Sequence, residues 1–222
     1  MCEYFQVPSE SLVAGEGLDL DRLALTEPLA VAAHGIRRGG VKAGETVLVV
    51  GAGPIGIGLA WFARLAGARV LLSERHQGRM AFAQKIAQAD AFLDPGQGDM
   101  KTRLAELTEG AMPDVIYDAT GNLKAMEASF PLIAHGGRFI LVGLQREDIR
   151  FSHPEFHKRE ATLMSSRNAT REDFIQVLDL VHSGRIDPLH MVTDRVDMSD
   201  IPDAFPKWLD PGHGTVKALV RI

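Results

Sequence analysis

The segment TVLVVGAGPIGIGLAWFARLAGARVLLSE, residues 46–74, constrains the fold more than any other part of the chain. An uninterrupted apolar run leads into a glycine turn, an apolar stretch follows, and a second apolar run ends on an acid. A strand without polar alternation must be covered on both faces, the situation of a central strand in a parallel sheet. Gly51 permits the tight strand-to-helix turn, Gly53 lets the backbone approach a ligand, and Gly56 lets the helix lie close to the strand. Amide groups at that helix start face an anion. The turn from Gly51 to Gly56, with Pro54 and Ile55 inside it, is therefore read as the seat of a pyrophosphate.

Glu74 closes the second run, where a carboxylate accepts hydrogen bonds from an adenosine ribose and repels a 2′-phosphate. That favours NAD over NADP, although Arg75 and Arg79 stand close enough in sequence to bind such a phosphate. Two alternatives remain: a structural turn without ligand, and an S-adenosylmethionine-dependent methyltransferase, which usually lacks the third close-packing glycine.

The alternation continues downstream. Strands are expected over residues 69–73, 91–93, 114–117 and 138–142, and helices over 54–66, 76–88, 100–109 and 122–133. This is the pattern of an α/β Rossmann domain, a doubly wound parallel sheet. Asp118, Thr120, Val142 and Gly143 fall at carboxyl ends of later strands, where such a sheet borders its cofactor crevice; Asp118 either touches ligand or caps the next helix. Upstream, residues 4–8 read as a short strand. A helix from Glu27, with Pro28 in its first turn and His34 as a packed, hydrogen-bonded residue, stops at Gly39 and Gly40. Beyond Gly143 a strand over 160–164, a helix over 171–182 and a final strand over 215–222 read as a different unit. His153 and His157 read as a solvated turn, because Pro154 stands where a zincin motif needs its glutamate.

Charge and composition exclude other classes. With 24 basic against 29 acidic residues, a net charge of −5 and no basic stripe, nucleic acid is not an expected partner. No run reaches the roughly 18 apolar residues of a membrane span. Cys2 is the one cysteine, so no internal disulfide and no cysteine-cluster zinc site forms, and a reducing cytoplasm is expected.

Several stretches carry a wider resemblance: EYFQVP, EPLAVAAHG, VKAGETVLVVGAGPIG, DVIYDATG, GGRFILVGL, FHKREATLMSSRNATREDF, SGRID, AFPKWLD and GTVKALV. Together they resemble the medium-chain zinc-dependent alcohol and polyol dehydrogenases, particularly the sorbitol, threonine and sugar-acid branch, with FHKRE and SSRNATREDF most similar to enzymes acting on hexonates. The resemblance implies NAD-dependent oxidation of a secondary alcohol in a small-molecule substrate, zinc lowering the alcohol's pKa and a hydride passing to the nicotinamide. It implies a chain corresponding to the C-terminal two-thirds of such an enzyme, with remnants of a GroES-like catalytic domain at residues 1–27 and 164–222 around a Rossmann domain at 28–163. The remaining zinc ligands then lie outside this sequence. By the same resemblance Glu27 matches the glutamate beside or on the catalytic zinc, its alternative being a carboxylate at a helix N-terminus. Arg167 matches a position near nicotinamide and substrate, and Lys217 a basic residue against the pyrophosphate; each is otherwise a surface charge. Homo-oligomers through the sheet edge are also implied. The rival expectation is a non-catalytic NAD-binding or subunit-pairing module.

Overall fold

In the computed structural model, which describes residue 4 and residues 6–222, the apolar runs form the middle of one sheet. Its strands are β1 (Thr46–Val50), β2 (Arg69–Ser73), β3 (Ala91–Leu93), β4 (Val115–Asp118), β5 (Arg138–Leu141) and β6 (Thr162–Ser165). All are parallel and stand in the order β3-β2-β1-β4-β5-β6. The chain winds outward from β1 to one edge and then from β4 to the other. A crevice therefore opens between β1 and β4 at their carboxyl ends.

Side chains alternate across each strand, so β1 serves both layers. Val47 and Val49 join a core with Leu29, Ala60, Val177 and Leu180, contributed by α1 (Leu20–Gly39), α2 (Pro54–Leu65) and α7 (Arg171–His182). Ala83 of α3 (Gln77–Ile86) completes that side. Leu48 faces the other core, with Leu104 of α4 (Met100–Leu107) and Phe130, which follows α5 (Leu123–Ser129); Phe156 of α6 (His153–Lys158) packs against it.

α7 is fastened to α1 by a buried carboxylate. Asp173 accepts from Arg37 Nε at 2.9 Å, Thr170 N at 2.8 Å and Thr170 Oγ1 at 3.0 Å, and pairs with His34 Nδ1 at 2.8 Å. Burial opposes its charge, but these bonds outweigh burial and hold the carboxyl well below its ordinary range. His34 is hydrogen-bonded as its sequence context suggests.

Several boundaries differ from expectation. α1 starts at Leu20, because Asp19 accepts from Arg22 N at 2.8 Å and caps it. Pro28 therefore lies inside the helix, not in its first turn; its ring removes one backbone bond, and its burial against the core offsets the loss. Residues 6–8 form no strand, and Cys2 and residue 5 lie outside the described residues. His153 and His157 sit on a helix capped by Ser152, not in a turn, with rings 5.7 Å apart. β6 begins two residues late because Glu160, at φ 49°, ends the preceding turn, and the strand runs across the expected 163/164 boundary. α7 packs into the main core rather than apart from it.

Beyond α7 the chain forms β7 (Val192–Asp197), α8 (Ile201–Leu209) and β8 (Lys217–Arg221), the two strands pairing as a separate parallel sheet. β7 was not foreseen. Among the described residues no helix is long and apolar enough to cross a membrane.

Candidate functional site

A cleft of about 570 Å³ opens where β1, β2, β3 and β4 end. The glycine turn forms its floor. Gly51 has φ 103°, and a Cβ there would meet Thr120 Cγ2 at 2.8 Å. A Cβ on Gly56 would stand 1.9 Å from the Gly51 carbonyl oxygen, so the close approach of α2 to β1 admits only glycine. Gly53 is different: its backbone is extended, and a Cβ there would meet nothing within 4 Å. The fold itself makes no demand for glycine at this position.

The first turn of α2 points at the same space. Ile57 N is the first amide bonded within the turn, to Gly53 O at 2.9 Å, and no side chain caps the helix. The N–H groups of Ile55 and Gly56 therefore remain for an anion. Pro54, at the first position, has no N–H to offer.

Glu74 stands beside this turn and is also part of it. Its Oε2 accepts from Ala52 N at 2.8 Å and its Oε1 from His76 N at 2.7 Å. The carboxylate thus ties the end of β2 to the glycine turn at the border of the cleft. Thr120 lines the opposite wall. Asp118 is fully buried and neither reaches the cleft nor caps α5; Asn122 does the capping, accepting from Ala125 N at 3.1 Å. Instead Asp118 ties its own turn, accepting from Thr120 Oγ1 at 2.8 Å and from the amides of Thr120 and Gly121 at 3.1 Å. Burial pushes its carboxyl upward, against the pull of those bonds.

Arg75 and Arg79 border the cleft from the β2 side, and Lys124 of α5 borders it from the β4 side. Lys124 was missed in the sequence, where a lysine on an exposed helix face carries no signal; its place two residues after the capping Asn122 becomes meaningful only once α5 is seen to start at the crevice. Gly51, Gly53, Glu74, Arg79 and Thr120 are thus brought together. Val142 and Gly143 lie beyond this cleft on the β5 side, and a Cβ on Gly143 would sit 2.2 Å from Gly121 N, so packing alone requires that glycine. Arg167 is exposed beyond β6, and Lys217 is half-buried on β8 opposite Val192; neither borders the cleft.

Glu27 is exposed and lies two turns into α1, so a helix-start role does not apply. Among the described residues no three His, Cys, Asp or Glu side chains converge, and the donors present do not fit a catalytic zinc. A second cleft of about 560 Å³, between α1 and the β7–β8 sheet, matches the first in size. It has no glycine turn, the Asp19 carboxylate caps the start of α1 beside it, and the Arg195–Asp21 ion pair stands in its wall. Chemistry, not volume, distinguishes the two.

L-galactonate-5-dehydrogenase from Escherichia coli (strain K12) is 37% identical over 220 residues, covering 99% of this chain; the chain spans 64% of that relative's length. A crystal structure described as a short chain alcohol dehydrogenase from Escherichia coli CFT073, complexed with NADH, superposes with a TM-score of 0.88 at 25% identity, covering 97% of this chain and 64% of that one. A putative zinc-binding dehydrogenase from Sinorhizobium meliloti 1021, bound to NADP, does so with a TM-score of 0.84 at 29% identity, covering 98% and 62%. The zinc-binding dehydrogenase family pattern matches residues 54–183, from the first turn of α2 through α7, and the chain belongs to that family.

Proposed function

We propose that this chain binds NAD as the dinucleotide-holding part of an oxidoreductase that oxidises a secondary alcohol of a polyol or sugar acid, with a hexonate as the favoured substrate class. The observation that carries the coenzyme is Gly53, a glycine the fold does not need, beside two free helix-start amides and a strand-end carboxylate. NADH and NADP in the two structural relatives support a nicotinamide dinucleotide. Glu74 at the ribose position favours NAD. The name of the L-galactonate relative supports the substrate class.

In such an oxidation the carbinol C–H bond breaks, its electron pair passes as hydride to nicotinamide C4, and the hydroxyl proton leaves, giving a ketone and reduced coenzyme. This chain's own residues bind and orient. The amides of Ile55 and Gly56 hold the diphosphate, Glu74 the adenosine ribose, and Thr120, Val142 and Gly143 shape the side toward the nicotinamide. Arg167, beyond β6, is assigned to the nicotinamide side. Among the described residues the donors do not fit zinc. We further assign α1 through α7 to the Rossmann domain, since β6 spans the 163/164 boundary and α7 packs into the main core, and β7, α8 and β8 to the catalytic domain. Copies of the chain are proposed to pair along the free edge of β6, where Leu163 is exposed.

Calorimetry with NAD+ and NADH, followed by assay of reduced-coenzyme formation from a panel of hexonates and polyols, tests this reading. Folded protein that gives no binding heat with either coenzyme form would overturn it.

A further inference from the structure

We propose that His153 and His157 form a two-imidazole site for a first-row divalent transition-metal ion, with Cu2+ held more tightly than Ni2+ or Zn2+.

Pro154 stands where a zincin motif has its glutamate. That glutamate is the base of the protease reaction and not a ligand, so its absence removes a chemistry and leaves the two rings. The fold supplies what ligation needs. Both histidines stand on α6, four residues apart, so their side chains leave one helix face on successive turns. Pro154 fits the first turn, where no N–H is demanded, and Ser152 precedes it as the cap.

The ring centres lie 5.7 Å apart, with their planes tilted by 50°. Metal–nitrogen bonds of about 2.0–2.1 Å, at the angles these metals adopt, put two ring centres roughly 5 Å apart. Both side chains are exposed, so rotation about their own bonds closes the difference without moving the backbone. The other side of α6 is fixed. Phe156 packs against the second core, its ring 6.0 Å from that of Phe130, and buried Arg159 donates to both the carbonyl oxygen and Oε2 of Glu155 at 2.8 Å. The ligands therefore need little ordering when a metal arrives.

The donor set selects the metal. The Glu155 carboxylate is engaged by Arg159, which leaves imidazole nitrogen, a donor for copper, nickel and zinc and not for magnesium or calcium. No third His, Cys, Asp or Glu converges on the pair among the described residues, so the remaining coordination positions fall to water in an open, exchangeable site. Exposure alone does not mark the pair, since His135 and His190 are exposed too. His34, His76, His182 and His213 each spend a ring nitrogen within the fold. What sets His153 and His157 apart is that two exposed rings share one face. Once one nitrogen holds the metal, the second bond forms intramolecularly, and the pair outbinds a lone histidine.

The test uses the chain without an affinity tag, titrated with Cu2+, Ni2+, Zn2+ and Mg2+ by calorimetry, with copper also followed by electron paramagnetic resonance. A strongest site is expected that takes Cu2+ ahead of Ni2+ and Zn2+, gives no heat with Mg2+, and shows a copper signal split by at least two imidazole nitrogens. His153→Asn and His157→Asn are each expected to weaken copper at that site by about tenfold or more, whereas His135→Asn leaves it within about twofold. Urea unfolding of the metal-free chain is expected to be the same for all three variants, which separates lost ligation from lost structure. A strongest site that survives either substitution, a copper signal from one nitrogen, or a loss no larger than that of His135→Asn would overturn the proposal.

Discussion

At the scale of single residues, the glycine turn separates what the fold requires from what a ligand requires. A methyl group on Gly56 would overlap the Gly51 carbonyl, and neither backbone can retreat without parting α2 from β1. Gly56→Ala is therefore expected to cost about 1–3 kcal/mol of stability, read from urea unfolding, and to weaken NAD with it. Gly53→Ala places its methyl in open space on an already extended backbone. Its cost is expected to stay under about 1 kcal/mol, that of a poorer helix cap, while NAD affinity falls by tenfold or more, about 1.4 kcal/mol. If Gly53→Ala binds NAD as the parent chain does, the dinucleotide does not lie against this turn. Both glycines were legible in the sequence, Gly53 as the position facing a ligand and Gly56 as the position packing helix on strand. The distances add that the fold requires glycine at Gly56 and leaves room for a side chain at Gly53. Asp118 shows the converse, since a carboxylate at a strand end next to a crevice looks functional until its three hydrogen bonds are seen to close its own turn.

At the scale of elements, legibility followed hydrophobic burial. β1, β2, β3 and α7 were bounded correctly or within a residue, because uninterrupted apolar runs or a buried stripe on one helix face left no choice. The start of α1 was hidden because Leu20 is exposed and its first turns bury little, so Pro28 looked like the beginning. β7 was hidden because VTDRVD carries three charged residues, buries none of its positions fully and resembles a loop. The docking of α7 on α1 was equally invisible, since it depends on Asp173 meeting Arg37 and His34 from far away in sequence. That junction makes a pH-dependent prediction. A carboxyl held below its unfolded value stabilises the fold fully above the unfolded pKa, about 3.9, and progressively less as pH falls toward the folded value. Asp173→Asn is expected to lose about 2 kcal/mol near neutrality, with the gap from the parent chain closing below about pH 4. Urea titrations across that range check it, and a gap that stays constant with pH would refute the charge as its source.

At the scale of the whole molecule, the two sheets are unequal. The six-stranded sheet has helices on both faces and strands at 0% exposure in its centre. The β7–β8 pair has only two parallel strands, an arrangement that is marginal without further neighbours. Exposed Leu20, Leu209 and Ile222 lie on α1, on α8 and just past β8, and this apolar surface is expected to drive self-association, read as a concentration-dependent mass in light scattering. A monodisperse monomer at all concentrations would argue against it. The same inequality has a local consequence. Amides in Val192–Asp197 and Lys217–Arg221 depend on one shared ladder, whereas those of β1 and β4 are hydrogen-bonded between buried neighbours on both sides. The smaller sheet is therefore expected to open at a lower free energy than the larger one, so its amides exchange with deuterium first, by roughly an order of magnitude for each 1.4 kcal/mol of difference. Saturating NAD is expected to slow exchange at the glycine turn and the end of β2 without slowing it in β7 and β8, because the coenzyme cleft has walls from the first sheet alone. Equal protection of both sheets, or coenzyme-induced protection spreading evenly into β7 and β8, would mean that the chain unfolds as a single unit and that the ladder of the smaller sheet is stronger than its two strands imply.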